Sequence, residues 1–315
     1  MESIVFLERN TFTIAFRPPR FDHQWAEYGE TSLQDIVQRA HAASIVICNK
    51  LPMRAETLSQ LSHLKLIAIA ATGVDNVDLE FCRQNKISVC NTRGYAVNSL
   101  PEHALMLMLA LRRSLIQYRE DIRVGHWCSA KQFCLLDHPI EDLREATLGI
   151  IGYGRLGQSM AKLAQAIGMK VLIAEHKKAS IIRAGRTKFE EVLRDSDVIS
   201  LHCPLNEQTK DLISAEELKL MKQRAILINT ARGGLINDAA LINALSIRQI
   251  AGAGIDVLRT EPPSEDNLLL QADLPNLLIT PHNAWASRQA MQALADQLID
   301  NLEAFVRGEP RNLVV

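Results

Sequence analysis

Short apolar runs bounded by turn residues alternate with longer stretches of helical periodicity along most of the chain. The first set of runs covers residues 3–7, 44–48, 66–70 and 87–90. The second set covers residues 147–151, 170–174, 198–202, 225–229, 250–255 and 277–280. Helical stretches separate the runs, for example at 33–41, 155–167 and 238–245. Because such alternation is typical of βα units, the sequence predicts an α/β chain with two doubly wound, parallel-sheet domains.

Two longer helical patterns indicate how these domains are joined. Residues 100–123 form one continuous pattern between the two sets of runs, apolar on more than one face. Their most apolar part, 104–111, is far shorter than the roughly 20 residues that a membrane span requires, so we predict a buried helix. Residues 287–306 are expected to form a second helix that returns to the first domain and makes it discontinuous. Its apolar residues at helical spacing are Met291, Leu294, Leu298 and Leu302.

Composition narrows the class of protein. The 315 residues include 35 Lys and Arg against 36 Asp and Glu, and this balance argues against a nucleic-acid-binding protein, which normally carries a basic excess. Hydrophobic residues make up 47% of the chain, as in globular rather than disordered proteins. The N-terminus shows no signal-peptide pattern, and the six cysteines form no CxxC pair. We therefore expect a cytoplasmic protein with reduced thiols, and no Cys and His spacing calls for a metal.

A glycine-rich motif follows the first run of the second set. Gly152, Gly154 and Gly157 form a GxGxxG pattern between a predicted strand and a predicted helix. In this context Gly152 permits a tight turn, Gly154 lets the backbone approach a pyrophosphate, and Gly157 lets helix and strand pack closely. The N-terminus of the helix then offers N–H groups to the phosphates. The motif predicts a dinucleotide-binding domain.

The acid at the end of the next run bears on the choice of dinucleotide. Glu175 lies 18 residues after Gly157. An acid at this position accepts hydrogen bonds from the adenosine ribose and repels a 2′-phosphate, which favours NAD over NADP. His176, Lys177 and Lys178 follow directly, and cations there can bind a phosphate, so NADP stays open.

Three polar side chains, Arg232, Glu261 and His282, follow neighbouring runs of the second set. Because ligands bind beyond the carboxyl ends of parallel strands, we expect the three to meet in one crevice. Hydride chemistry on a 2-keto acid needs a fixed cation, and the planar, permanently charged guanidinium of Arg232 suits that role. It also needs a proton donor, and His282 suits it because imidazole titrates near neutral pH. Glu261 can orient the His282 ring and favour its imidazolium form.

Several segments closely resemble those of the D-isomer specific 2-hydroxyacid dehydrogenases, and the resemblance covers nearly the whole chain. They are HCPLNEQT at 202–209, INTARGG at 228–234, GAGIDVLRTEPP at 252–263, TPHNAWAS at 280–287, ATGVDNVD at 71–78 and NTRGYAVNSLPEHA at 91–104. The resemblance implies a Rossmann NAD domain over 101–286. It also implies a discontinuous, flavodoxin-like substrate domain over 1–100 and 287–315.

The resemblance also implies roles for single residues. It makes Arg232, Glu261 and His282 catalytic. It implies that Asp256 holds the nicotinamide carboxamide, and that backbone N–H groups around Gly73 and Val74 receive the substrate carboxylate. The full set implied for the cofactor is Val97, Gly152, Gly154, Arg155, Leu156, Gly157, Glu175, His202, Cys203, Pro204, Thr209, Thr230, Ala231 and Asp256.

Within the family, the segments 133–143 and 281–301 resemble those of glycerate dehydrogenases and hydroxypyruvate reductases. The expected reaction is reversible hydride transfer between NAD(H) and hydroxypyruvate or glyoxylate, giving D-glycerate or glycolate. Trp285 either walls the substrate pocket or packs at a domain junction, and Lys50 either contacts substrate or is an ordinary surface lysine. D-lactate or another small acid, and an NAD-sensing, corepressor-like binding protein, stay as alternatives. A homodimer is expected, with 100–111 either at its interface or buried between the domains.

Overall fold

The computed structural model describes all 315 residues. The chain divides into two compact units, which we call unit 1, Met1–Tyr95 with Ala286–Val315, and unit 2, Ala96–Trp285. Each unit contains one parallel sheet flanked by helices, so the predicted two-sheet α/β architecture is confirmed. The substrate and dinucleotide roles expected of the two domains stay predictions.

The elements alternate along the chain. The strands are β1 Glu2–Phe6, β2 His23–Glu27, β3 Ile45–Cys48, β4 Leu66–Ile69, β5 Ser88–Cys90, β6 Thr147–Ile151, β7 Lys170–Ile173, β8 Val198–Leu201, β9 Ile226–Asn229, β10 Gly252–Ile255 and β11 Leu277–Ile279. The α-helices are α1 Ile36–Ala40, α2 Ala55–Leu58, α3 Leu79–Gln84, α4 Ser99–Arg112, α5 Leu115–Arg123, α6 His126–Ser129, α7 Arg155–Ala166, α8 Phe189–Asp195, α9 Ala215–Leu220, α10 Asp238–Ser246, α11 Leu268–Gln271 and α12 Arg288–Val306. None of these helices combines the length and the apolar character needed to cross a bilayer.

The sheet of unit 1 has the order β2-β1-β3-β4-β5, and every pair is parallel. Four of its strands coincide with the predicted apolar runs. The pattern did not predict β2, because its sequence HQWAE contains no apolar run. β2 lies at the edge of the sheet, pairs only with β1, and has no buried residue. An edge strand of this kind leaves no hydrophobic signal in the sequence.

Helix α12 belongs to unit 1 and packs on β4. The Ser287 side chain caps its N-terminus by accepting a hydrogen bond from the Ala290 N–H at 3.1 Å. The predicted apolar stripe is buried, with Leu294, Leu298 and Leu302 fully inaccessible to solvent. The helix therefore supplies one wall of the unit 1 core, as its periodicity predicted.

The sheet of unit 2 has the order β11-β10-β9-β8-β6-β7, again with every pair parallel. Helices α4 and α7 pack on one face, and α8, α9 and α10 cover the other, so side chains fill both faces of the sheet. The chain passes from β6 to β7 on one side and then returns to β8 on the other side of β6. This reversal is a topological switch point, where ligands of doubly wound sheets bind.

The single helix expected over 100–123 is wrong, because the structure contains two helices, α4 and α5. Ser114 between them adopts a left-handed conformation with φ 48°. The segment after α6 holds this break in place: the Ser114 hydroxyl donates to the Pro139 carbonyl at 2.6 Å, and the Arg112 guanidinium donates to the Asp142 carbonyl at 2.7 Å. Tertiary contacts that the local pattern does not encode therefore end the first helix.

Candidate active site

The GxGxxG motif forms the turn between β6 and α7, at the switch point of unit 2. Gly152 has φ +93°, and a Cβ there would lie 2.5 Å from the backbone of His202 and Cys203. A Cβ on Gly157 would lie 2.2 Å from the Gly152 carbonyl oxygen. A Cβ on Gly154, by contrast, would meet no atom within 4 Å. Two of the glycines are required by the protein's own packing, and the third borders open space.

The N-terminus of α7 opens onto the space beside Gly154. No side chain caps this helix, so the N–H groups of its first turn, including those of Arg155 and Leu156, are available to an anion. Two buried polar atoms at the same edge of the sheet lack partners: Nδ1 of His202, which follows β8, and Oγ1 of Thr230, which follows β9. This edge of the sheet fits a dinucleotide with its pyrophosphate at α7. It offers uncapped N–H donors, open space beside Gly154 and unsatisfied polar atoms.

Burial determines the protonation of the two residues that follow β8. It lowers the pKa of His202 to about 4, so the ring is neutral at pH 7. Its Nε2 lies 2.9 Å from the Ser200 hydroxyl, which fixes the ring. Burial also raises the pKa of the Cys203 thiol to about 11, so the thiol stays protonated. Neither residue therefore carries charge into the predicted cofactor site.

Most of the remaining predicted cofactor residues lie in loops that follow the strands. The Thr209 hydroxyl donates to the Pro204 carbonyl at 2.7 Å and so closes the loop after β8. The Ala231 N–H donates to the Asn229 side chain at 3.0 Å. Val97 lies half-buried just ahead of α4. The loops after β8 and β9 lie at the same edge of the sheet as the glycine-rich turn.

Glu175 follows β7 and is buried, and its carboxylate has partners that the sequence did not reveal. The Arg183 guanidinium donates to both carboxylate oxygens, from Nε at 2.7 Å and from Nη2 at 2.5 Å. The His176 N–H donates at 2.8 Å. These hydrogen bonds, chiefly those from the Arg183 side chain, hold the pKa of Glu175 far below its ordinary value. A pairing between side chains eight residues apart in a loop has no periodic signal.

Glu261 and His282 are brought into direct contact. The Nδ1 of His282 lies 2.5 Å from the Oε2 of Glu261. The Leu258 N–H donates to the other carboxylate oxygen at 2.8 Å, so the carboxylate is fixed on both sides. This arrangement makes Nδ1 the donor to Glu261 and directs Nε2 away from the pair. The histidine is therefore oriented to exchange a proton at Nε2.

The loop that carries Arg232 lies against the loop that carries Glu261. A Cβ on Gly233 would come within 2.4 Å of the backbone of Leu258 and Arg259, so the two loops touch at the backbone. The Arg232 Nη1 donates to the Ala231 carbonyl at 2.8 Å. Strands β9, β10 and β11 are neighbours in the sheet, so the three predicted catalytic residues leave one edge of unit 2 together.

Asp256 organises the turn that carries His282. Its backbone carbonyl accepts the His282 N–H at 2.8 Å, and His282 adopts φ 52°. Its buried carboxylate accepts the Asn283 and Ala284 N–H groups, each at 3.0 Å, and the Thr280 hydroxyl at 2.6 Å. Both oxygens therefore already have donors from this turn. The contact with a nicotinamide carboxamide stays a prediction, and holding this turn is a role that the sequence did not reveal.

Two further side chains support the same turn. His103 on α4 contacts the Thr280 hydroxyl through Nε2 at 3.0 Å, and burial lowers the pKa of this histidine. The Trp285 indole N–H donates to the His282 carbonyl at 3.0 Å. Trp285 therefore braces the backbone of the predicted acid–base residue, and its contact with substrate stays a prediction.

The substrate contacts expected at Lys50, Gly73 and Val74 lie in unit 1, after the neighbouring strands β3 and β4. Glu8 holds the first of these loops: its carboxylate accepts the N–H groups of Asn49 at 2.6 Å and of Lys50 at 3.0 Å. Sequence reasoning missed Glu8, because an acid at the end of an apolar run is usually solvated.

The comparisons place these features among known proteins. The family described as "D-isomer specific 2-hydroxyacid dehydrogenase, NAD binding domain" matches residues 105–284. A glycerate dehydrogenase of Methylorubrum extorquens is 52% identical over 314 residues, which cover 99% of each chain. A hydroxypyruvate reductase of Blautia hydrogenotrophica is 36% identical over 287 residues, covering 90% of this chain and 88% of that protein. The solved structure of an acyclic imino acid reductase (Bsp5) in complex with NADPH and D-Arg superimposes with a TM-score of 0.85 at 28% identity, covering 99% and 100% of the two chains.

Proposed function

The chain belongs to the D-isomer specific 2-hydroxyacid dehydrogenase family, and on that premise we propose that it reduces hydroxypyruvate and glyoxylate reversibly to D-glycerate and glycolate. The observation that carries the proposal is the fixed Glu261–His282 pair beside the Arg232 loop, at the ligand-binding edge of unit 2. The glycerate dehydrogenase that is 52% identical over nearly the whole chain supports this substrate class.

His282 acts as the acid–base residue. The nicotinamide, when bound, supplies the hydride. The Nε2 of His282 then donates a proton to the carbonyl oxygen of the substrate. Glu261 accepts the Nδ1–H and stabilises the positive charge on the ring before the proton leaves. In the oxidative direction, neutral His282 takes the hydroxyl proton at the same atom.

Arg232 supplies the fixed positive charge. Its guanidinium can bind the substrate carboxylate with two hydrogen bonds and can polarise the carbonyl. The contact with the carbonyl oxygen strengthens as negative charge develops there, while the contact with the carboxylate holds the substrate throughout, so the residue acts in binding and in the chemical step. Lys50, Gly73 and Val74 in unit 1 are the further substrate contacts that we propose, and Trp285 is proposed to wall the pocket.

The test is a set of initial rates of NADH oxidation with hydroxypyruvate, glyoxylate and pyruvate, repeated with NADPH. We expect turnover on hydroxypyruvate and glyoxylate, with glycolate as the product of glyoxylate and D-glycerate, identified by chiral separation, as the product of hydroxypyruvate. A preference for pyruvate would refute the substrate assignment but keep the enzyme class. Dinucleotide binding without turnover on any keto acid would refute the catalytic proposal in favour of a binding protein.

We further propose a homodimer in the cytoplasm. The apolar residues of α4 mostly face the core of unit 2, whereas Met106 and Leu109 are exposed. The stretch that follows is more apolar at its surface, and Phe133 is 91% exposed. Its exposed members are Leu115, Ile116, Ile122, Val124, Trp127, Phe133, Leu136 and Ile140. An exposed apolar patch of this kind is characteristic of a protein interface.

Light scattering after gel filtration tests the assembly, with twice the chain mass of 35.1 kDa expected. Phe133→Ser should shift the mass toward that of one chain. A mass of one chain in the unaltered protein would exclude the dimer. The six free cysteines, three of them buried in unit 1, support a reducing compartment.

A further inference from the structure

The carboxylate of Glu175 is fully occupied by its own loop. A carboxylate offers about four acceptor positions. Besides the two guanidinium contacts and the His176 N–H, the Arg183 N–H also donates to it, at 3.3 Å. The side chain of Glu175 is only 2% exposed. A ribose hydroxyl could therefore reach this buried carboxylate only by displacing its bidentate contact with Arg183.

The Arg183 guanidinium, unlike the Glu175 carboxylate, keeps hydrogen-bonding groups available to a ligand. Glu175 engages Nε and Nη2, which leaves the two N–H bonds of Nη1 and the second of Nη2 on the outer side of the guanidinium. The Arg183 side chain is 55% exposed. Its forked geometry on that side matches a phosphate, and Glu175 prevents the group from changing orientation. The pair thus presents an oriented cation instead of an acceptor.

The loop that carries Arg183 is pinned beside the glycine-rich turn. The Glu175 N–H donates to the Thr187 carbonyl at 2.8 Å, and the Thr187 N–H donates to the Ile173 carbonyl at 2.9 Å. The Arg186 guanidinium lies over the ring of Tyr153, within the GxGxxG motif, 5.1 Å from its centroid. The loop is therefore a fixed wall at the end of β7, where the adenosine ribose of a dinucleotide binds in doubly wound folds.

Charge in this loop favours an anionic ligand. Residues 175–188 contain one acid, Glu175, and five cations, Lys177, Lys178, Arg183, Arg186 and Lys188, in a chain whose net charge is −1. Glu217 of α9 pairs with Lys177 at 2.7 Å, and Glu191 of α8 lies 3.7 Å from Lys188. Arg183 is paired only with the buried Glu175, and Lys178 and Arg186 have no acidic partner, so the loop keeps a net positive charge on the wall that borders the ribose position.

We propose that Arg183, held by Glu175, binds the adenosine 2′-phosphate of NADPH, and that Glu175 is a positioning residue for Arg183 rather than the acceptor of the ribose hydroxyls of NADH. The proposal rests on the proposed function, because it assumes that unit 2 binds a nicotinamide dinucleotide. It reverses the preference that an acid at this position indicates in the sequence. Arg183 then determines cofactor specificity, and NADPH binds at least as tightly as NADH.

The experiment measures the Kd of NADPH and of NADH without substrate, by fluorescence titration of the full chain. The variants are Arg183→Gln and Glu175→Gln. The matched control is Lys188→Gln, which removes one positive charge from the same loop at a residue without contact to Glu175. Arg183→Lys keeps the charge but loses the fork, and it should fall between the unaltered chain and Arg183→Gln.

In Arg183→Gln we expect the ratio of the NADPH Kd to the NADH Kd to rise at least about tenfold, and in the Lys188→Gln control by less than about threefold. We expect Glu175→Gln to change the NADH Kd by less than about threefold, since no ribose contact is lost. A smaller rise in Arg183→Gln, an equal rise in the control, or a larger loss of NADH affinity in Glu175→Gln would overturn the proposal.

A measurement on the unaltered chain tests the proposal even if the variants do not fold. Here 2′,5′-ADP and 5′-AMP compete with NADH, and we expect the former to bind at least about tenfold more tightly. Equal affinities would overturn the proposal. If the chain binds neither dinucleotide, the proposed function fails as well. If it binds both with a ratio that Arg183→Gln does not alter, only the assignment of Arg183 and Glu175 fails.

Discussion

Replacing each of two glycines of the same motif by alanine should have different effects: Gly157→Ala should destabilise the fold, whereas Gly154→Ala should weaken NADH binding. In Gly157→Ala the new Cβ lies 2.2 Å from the Gly152 carbonyl oxygen, whereas contacts below 3.0 Å essentially never occur, so helix α7 must move by at least 0.8 Å. Forcing a methyl group into packed backbone costs about 3 kcal/mol, and the gain in helix propensity returns about 1 kcal/mol. We expect a net loss of about 2 kcal/mol.

Gly154→Ala should leave folding almost unchanged. The backbone at Gly154 has φ −77° and ψ −166°, which alanine adopts freely, and the added Cβ meets no atom within 4 Å. The poorer N-cap and the reduced entropy of the unfolded chain offset each other to within about 0.5 kcal/mol. The methyl group instead occupies the space through which a pyrophosphate approaches α7. We expect NADH binding to weaken at least about tenfold.

Calorimetry and NADH titration of both variants test this reasoning. For a unit of this size, about 2 kcal/mol corresponds to a Tm lowered by about 4 to 8 °C in Gly157→Ala. Gly154→Ala should melt with the unaltered chain, so each variant serves as the control for the other. Equal destabilisation of the two variants, or unchanged NADH affinity in Gly154→Ala, would refute the assignment of the space beside Gly154 to a pyrophosphate.

Three further predictions concern the titratable and charged residues. His282→Gln should lower kcat by about 100-fold or more while the NADH Kd stays constant, with the exposed His63→Gln as the matched control, and near-normal turnover would exclude the acid–base role. Arg232→Gln should raise KM and lower kcat together, and steady-state kinetics showing a change in KM alone would contradict its part in the chemical step. His202 is neutral when folded, so its contribution to stability is complete above pH 6.5 and is lost as the pH falls toward its folded pKa of about 4. Urea unfolding should therefore show about 3 kcal/mol of acid-dependent loss that His202→Gln lacks, and equal pH slopes would contradict this.

The sequence predicted what periodicity encodes. The run 147–151 coincides with β6, because a strand buried on both faces is apolar throughout. The sequence pattern did not predict β2 or the break at Ser114. An exposed edge strand and a left-handed serine held by Pro139 leave no local pattern. Hydrophobic periodicity therefore reports burial within an element and not the tertiary contacts that end it.

The candidate site likewise contains features that the sequence predicted and features that it did not. Motif spacing brought Glu261 and His282 to one edge, since both follow strands whose order the fold dictates. The Arg183–Glu175 pair and the turn held by Asp256 depend on loop conformations. Residue type and position along a strand are readable in a sequence, whereas the choice of hydrogen-bond partner within a loop is not.

The return of α12 to unit 1 has a consequence for biosynthesis. The β5 residue Val89 exchanges hydrogen bonds with Val314 and Val315, and α12 covers β4, so unit 1 needs residues 286–315 to complete its core. Unit 2 is continuous in sequence and is fully synthesised before those residues leave the ribosome. Domains fold as units as they emerge. Residues 96–285 therefore fold first, and residues 1–95 keep an incomplete core until residues 286–315 have been synthesised.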